Sequence, residues 1–406
     1  MNIEFIDGGV CVPIGFKASG VHCGIRKNKT KRDLALIVAD RQCTAAAVYT
    51  KNVVKGAPLI ITKEHLKNGT ARAVICNSGN ANTCNADGEY KAKMMCDIAS
   101  GVLGIPSGDI IVASTGVIGQ VLPIQPIANA ASSLKSALGN NSLDAAEAIM
   151  TTDTIVKNLA VEFDINGKTC KIGAIAKGSG MIHPNMATML SFVTTDVSIL
   201  PEVLQNILRE VCDITFNMVS VDGDTSTNDM VTVLASGAAE NATIENKNSI
   251  GYREFYDALE AIMRKISIML ASDGEGATRL IECNLTGAKS DLSARVLAKS
   301  VVCSSLVKAA IFGADANWGR VLCALGYSDE EFNTGKVDVA FKSSVGEIEV
   351  CHEGAGLKFD EKKAKEILTQ EEIQINITMG DGEGKATAWG CDLTYDYVKI
   401  NGDYRT

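Results

Sequence analysis

Val161, Phe163 and Ile165 alternate with polar residues, Asn166-Gly167 follows, and Cys170, Ile172 and Ala174 resume the alternation. A period of two is the pattern of a half-buried strand. Asn-Gly is the pair that tolerates positive φ at both central positions of a tight turn. A β-hairpin is predicted here, which commits the fold to antiparallel pairing. The hairpin hands the chain to a loop, residues 177–187, and then to residues 188–195, which read as another strand.

The rest of the chain alternates strand-like and helix-like segments. Residues 34–40, 44–50, 71–76, 110–114, 230–235, 277–285, 346–351 and 372–378 read as strands. Residues 88–102, 123–137, 143–149, 253–271 and 291–310 read as helices. Pro201 opens another helix, with Val203, Leu204, Ile207, Leu208 and Val211 on one face. The expected class is α+β, with helices packed on the outsides of sheets. Asp273-Gly274-Glu275-Gly276 recurs as Asp381-Gly382-Glu383-Gly384, an echo short enough to arise by chance.

At 406 residues the length suggests two or three domains by size alone. With 46% apolar and 21% charged residues, wholesale disorder is excluded. Lys plus Arg number 39 against 48 Asp plus Glu, a net charge of −9, which argues against a nucleic-acid partner. No apolar run approaches the ~18 residues of a membrane helix, and residues 1–7 lack a basic, then apolar, leader pattern. The expectation is a cytoplasmic protein with no membrane partner. The 13 cysteines form no CxxC pair, and several, such as Cys76, Cys303 and Cys323, sit in apolar surroundings. That usage fits a reducing compartment. With four histidines, none in a finger-like pattern, no metal is expected.

Several chemistries drop out on motif grounds. There is no GxSxG elbow. Gly167-Lys168-Thr169 has Glu162 where a P-loop needs its first glycine. Gly380, Gly382 and Gly384 give only GxGxG. Asp222 and Asp224 resemble the start of a calcium loop, but Thr227 occupies the glycine position.

The densest signal is Lys177-Gly178-Ser179-Gly180-Met181-Ile182-His183-Pro184-Asn185-Met186-Ala187-Thr188-Met189-Leu190. Its glycines and proline make a tightly turning loop, and it ends at a small-residue junction before a strand. Cutting the bond before Thr188 would give its hydroxyl a neighbouring α-amine. With a pKa near 8, that amine can act as a general base. On spacing alone, Thr188 reads as a β-branched residue that starts a strand rather than as a nucleophile. His183 is a candidate base or a loop hydrogen-bonder, with no Ser or Cys partner evident. Lys177 is a carboxylate binder or simply solvated.

This stretch resembles the signature of the ornithine acetyltransferase (ArgJ) family of arginine biosynthesis. Further blocks resemble the family in chain order: Asn77-Ser78-Gly79-Asn80-Ala81-Asn82, Ser114-Thr115-Gly116-Val117-Ile118-Gly119 and Thr151-Thr152-Asp153-Thr154. Ser220 to Asp229, Asp315 to Arg320, and Ala388-Trp389-Gly390-Cys391-Asp392-Leu393 with the tail from Asn401 to Thr406 continue the series. Two positions depart from it: Gly402, where alanine is more usual, and Ala314, where arginine is expected.

The resemblance implies a fold of the DmpA/ArgJ type, a layered sandwich of β-sheets flanked by helices, in a self-processing N-terminal-nucleophile-type enzyme. It implies autoproteolysis between Ala187 and Thr188, giving an alpha chain, 1–187, and a beta chain, 188–406. Thr188 becomes the nucleophile, with Thr115 and Gly116 as oxyanion donors. The implied substrate-binding residues are Thr151 or its neighbour Thr152, Lys177, Thr188, Glu275, Asn401 and Thr406. The implied reaction moves acetyl from N2-acetylornithine to glutamate by a ping-pong mechanism. Acetyl-CoA is an alternative acetyl donor in some members and a substrate rather than a cofactor, so no cofactor is expected. The implied assembly is a heterotetramer of two alpha and two beta chains. Two other readings stand beside this one: a self-processing aminopeptidase of the same fold type, with water as acceptor, and a non-catalytic amino-acid-binding protein.

Overall fold

The computed structural model describes residues 3–183 and 189–403. Two compact units emerge. The first comprises Met1–Gly178, Asn185–Asp213 and Thr225–Ile266; the second comprises Ser179–Pro184, Ile214–Asp224 and Ser267–Thr406.

The first unit is built on a nine-stranded sheet. Its order is Glu4–Ile6, Lys157–Ile165, Lys168–Lys177, Leu190–Thr195, Met230–Ala235, Leu34–Tyr49, Thr70–Asn77 and Ile110–Ser114, with Phe16–Val21 also paired to Leu34–Tyr49. The hairpin forms as expected: Ile165 pairs with Lys168, and Asn166 and Gly167 sit at φ +50° and +81°. Positive φ at both positions matches the right-handed twist of the flanking strands. Residues 34–40 and 44–50, which read as two strands, form one, with an irregularity in its pairing to Thr70–Asn77 between Val38 and Cys43.

Alternation along the strands divides the core of this unit. Leu34, Leu36, Ala73, Ile75, Ile110 and Val112 join the helices Gly88–Leu103 and Ile124–Ser136 in one cluster. Ala35, Ile37, Val74, Cys76, Ile111 and Ala113 join the helix Ser142–Ile149 in another. Both faces are thus covered, which is why these strands read as almost unbroken apolar runs. In the helix Pro201–Ile214 the five apolar residues named from the sequence are all buried. Each stabilises the fold by about 1.5–3 kcal/mol.

The second unit holds a seven-stranded sheet in the order Ala355–Gly356, Gly346–His352, Asp338–Ser343, Glu372–Thr378, Leu280–Ala288, Gly384–Cys391 and Val219–Ser220. The expected helix over 291–310 is two helices, Asp291–Cys303 and Ser305–Phe312. Ser304 breaks them: its backbone is extended and its hydroxyl caps the second helix by accepting from the Val307 N–H. The last described element is a helix, Tyr395–Asp403. Among the described residues no helix is long and apolar enough to cross a membrane. Among the described residues no cysteine is in a disulfide, and Cys323, whose neighbours in sequence are apolar, is exposed, as is Cys84.

Candidate active site

The strands Thr70–Asn77 and Ile110–Ser114 run parallel, and the pairing ends at Asn77 opposite Ser114. Turns at the carboxyl ends of parallel strands are where α/β sheets bind ligands. Thr115 and Gly116 form such a turn. The Thr115 N–H donates to the Asn77 carbonyl at 3.0 Å, so that N–H is already used. Its hydroxyl oxygen accepts from Lys177 Nζ, and the Gly116 N–H donates to no group among the described residues. Gly116 has φ +129°, and a Cβ there would lie 2.6 Å from the Gly79 carbonyl carbon and 2.7 Å from the Asn80 nitrogen. Only glycine fits both the conformation and the space.

Two asparagines fix this turn. Asn77 Nδ2 donates to Ser114 Oγ at 2.7 Å, while its Oδ1 accepts from the N–H groups of Gly79 and Asn80. Asn228 uses its whole amide. It donates to the carbonyls of Ser114 (2.9 Å) and Ala81 (2.6 Å) and accepts from the hydroxyls of Thr83 and Thr227, both at 2.6 Å. Neither role is visible in the sequence, because the bonds from Asn77 and Asn228 to Ser114 span 37 and 114 positions. Asn228→Ala would take this donor from the buried Ser114 carbonyl, at about 1–3 kcal/mol, while the Ala81 carbonyl keeps the Thr83 hydroxyl at 3.3 Å. The expected result is a lower melting temperature together with a loss of about 10–100-fold in kcat as the turn shifts, checked by calorimetry and steady-state kinetics on one preparation.

Lys177, at the end of its strand, is 8% exposed, and its Nζ donates to Thr115 Oγ1 at 3.4 Å. Burial pulls its pKa below the usual lysine value, against the opposing pull of Asp153 and Asp229. Asp153 is buried too. Burial would raise its carboxyl, but Lys177 and Lys157 outweigh that and hold it at about 2. Its Oδ1 accepts from Lys157 Nζ (2.9 Å) and the Gly178 N–H (2.6 Å), and its Oδ2 from the Thr151 N–H (2.9 Å). One carboxylate thus ties Thr151 to the residue after Lys177. The solvated reading of Lys177 is overturned; it is buried beside the Thr115-Gly116 turn, where a cation suits an anionic ligand group.

In the second unit Glu275 and Asn401 come together. Glu275 is 9% exposed and its Oε2 accepts from Asn401 Nδ2 at 2.8 Å. A Cβ on Gly180 would fall 2.2 Å from that same oxygen. Thr115, Gly116, Thr151 and Lys177 therefore form one group and Glu275 with Asn401 another. Ala187, Thr188 and Thr406 lie outside the described residues.

His183 differs from its expectation. The fold supplies both partners that were not evident in the sequence: Ser220 Oγ at 3.2 Å and Cys303 Sγ at 3.4 Å from Nδ1. Burial, with the nearby Lys299, pushes the imidazole down to about 4, and burial raises the Cys303 thiol. Both are neutral near pH 7, so the pair is no thiolate nucleophile. A histidine whose folded pKa lies below its unfolded value stabilises fully above about 6.5 and loses that contribution as pH falls toward 4. The melting temperature of His183→Gln is thus expected to fall less than that of the wild type between those pH values, a difference that thermal scans would measure. Elsewhere, His352 Nδ1 lies 2.9 Å from Asp338 and 3.6 Å from Glu349, an exposed set with metal-ligand atom types that also forms an ordinary ion pair.

A sequence model of the ArgJ family matches residues 17–406. The chain is 49% identical to the arginine biosynthesis bifunctional protein ArgJ of Caldanaerobacter subterraneus subsp. tengcongensis, over all of both chains. It is 50% identical to ArgJ 1 of Clostridium acetobutylicum, over 96% of each. The crystal structure of ArgJ from Bacillus halodurans superposes with a TM-score of 0.51 at 47% identity, covering 53% of this chain and all of that one. The matches take in the Thr115-Gly116 turn, the buried Lys177 and the helix Tyr395–Asp403, and on them the chain belongs to the ArgJ family.

Proposed function

We propose that the protein is a self-processing glutamate N-acetyltransferase that carries acetyl from N2-acetylornithine to glutamate. The observation that carries this reading is Lys177, a buried cation whose Nζ reaches Thr115 Oγ1 beside the Gly116 N–H, which donates to no group among the described residues. A carboxylate-bearing acyl donor fits that pairing: its anion meets the lysine and its carbonyl oxygen meets the turn. Membership of a family whose relatives are named for arginine biosynthesis supports the substrates.

In the proposed processing step the Thr188 hydroxyl attacks the Ala187 carbonyl and the peptide C–N bond breaks. The hydroxyl proton passes to the departing amine, and water hydrolyses the ester. That leaves a carboxylate on Ala187 and a free amine and hydroxyl on Thr188. In transfer, the hydroxyl adds to the acetyl carbonyl of acetylornithine. The α-amine relays its proton to the ornithine nitrogen, and ornithine leaves an acetyl ester behind. The amine of glutamate then takes the acetyl group and restores the hydroxyl. Thr115 and Gly116 stabilise each oxyanion, while Lys177 holds the carboxylate of the amino acid.

The test is formation of N-acetylglutamate from acetylornithine and glutamate, with a parallel reaction supplying acetyl-CoA instead of acetylornithine. Product in the first reaction supports the transferase, and product in the second adds the acetyl-CoA activity. Acetate or amino-acid release independent of glutamate would favour the aminopeptidase reading.

A further inference from the structure

The backbone leading to the Ala187-Thr188 junction is held in an unusual way. Met181 has φ +54°, a region that a residue with a side chain keeps only when its neighbours enforce it. The enforcing neighbour is Asp222. Its Oδ2 accepts from the Met181 N–H at 2.6 Å and its Oδ1 from the Ile182 N–H at 2.8 Å. The Ile182 carbonyl is fixed in turn by the Val221 N–H at 2.7 Å. Asp222 also meets the C-terminal helix, since the Tyr397 hydroxyl donates to Oδ2 at 3.3 Å. That helix makes a second link through Asn401 to Glu275, the carboxylate against which Gly180 packs. Residues 180–182 therefore rest on two carboxylates, and the C-terminal helix binds both.

We propose that Asp222 is a positioning residue for self-cleavage, and that Tyr397 makes the C-terminal helix part of the same clamp. The proposal rests on the reading that the chain splits between Ala187 and Thr188. Attack of a side-chain hydroxyl on the preceding carbonyl needs a bent, restrained backbone, and a loop pinned at its approach samples that geometry more often. The clamp depends on charge type as well as shape. Two N–H groups point at the two oxygens of one carboxylate, and asparagine would set its own NH2 against one of them.

The test follows newly made chain in a cell-free synthesis reaction, measuring the appearance of fragments 1–187 and 188–406 with time. Melting temperatures are compared in a Thr188→Ala background, where no splitting intervenes. Asp222→Asn is expected to split at least about tenfold more slowly than the wild type with little change in melting. Asp222→Glu, which keeps the carboxylate, is expected to recover part of the rate, and Tyr397→Phe to slow splitting to a smaller degree. Asp222→Asn splitting at the wild-type rate would overturn the proposal. Should Asp222→Asn fail to fold, Tyr397→Phe decides: slowed splitting supports the clamp and a wild-type rate overturns it. A wild-type chain that stays whole is a different result, and it would overturn the self-cleavage reading itself.

Discussion

Thr188→Ala is expected to leave the chain whole and to abolish acetyl transfer, a loss on the order of 10⁴-fold or more. The size follows from three roles that the proposed mechanism gives to one residue. Without the hydroxyl, the Ala187 carbonyl has no attacking group and the peptide bond persists. The α-amine then stays locked in an amide and cannot serve as general base. No oxygen remains to carry the acetyl group between donor and acceptor. Each loss alone would be large, and they remove consecutive steps. Thr188→Ser separates them, because it keeps a hydroxyl and an α-amine, and it is expected to retain measurable splitting and transfer. Intact mass and a coupled N-acetylglutamate assay read both outcomes.

Gly116→Ala is expected to reduce kcat by about 10²–10³-fold with a smaller effect on KM, the usual cost of losing one oxyanion donor. A methyl group at this position would meet the backbone of Gly79 and Asn80 at 2.6–2.7 Å, and a φ of +129° is unfavourable for alanine. Neither contact is the end of a flexible side chain, so the turn itself must move. Asn77 and Asn228 hold both sides of it, and the strain passes into their hydrogen bonds. The Gly116 N–H would then miss the oxyanion more than it misses the ground-state carbonyl. That difference is why the loss falls on kcat.

Local pattern made much of the fold legible. The hairpin at Asn166-Gly167, the strands Ile110–Ser114 and Met230–Ala235 and the helix Pro201–Ile214 follow from periodicity, turn chemistry and a proline at the first helical position. The helix break at Ser304 was not legible, because a serine inside an apolar run looks like a tolerated guest until its hydroxyl is seen capping the next helix. The irregular pairing near Val38 was hidden for a related reason: polar residues in mid-strand resemble a turn.

The candidate site divides in the same way. Thr115, Gly116 and Lys177 stand out by motif. Asp153, Asn77 and Asn228 lie within the motif blocks too, but the contacts that give them their parts cross the chain: Asp153 meets Gly178, Asn77 meets Ser114 and Asn228 meets Ser114 and Ala81. Asn228 and Ser114 are 114 positions apart. His183 shows the limit from the other side, since its partners Ser220 and Cys303 come from separate segments of the second unit.

The most direct test of the acetyl-threonine mechanism is the intact mass of purified protein mixed with N2-acetylornithine in the absence of glutamate. The mechanism predicts two fragments, 1–187 and 188–406. The second should carry one added acetyl group at Thr188, which disappears when glutamate is supplied and reappears as N-acetylglutamate. A split chain that never holds acetyl at Thr188, while acetate is released at the same rate with or without glutamate, would contradict it.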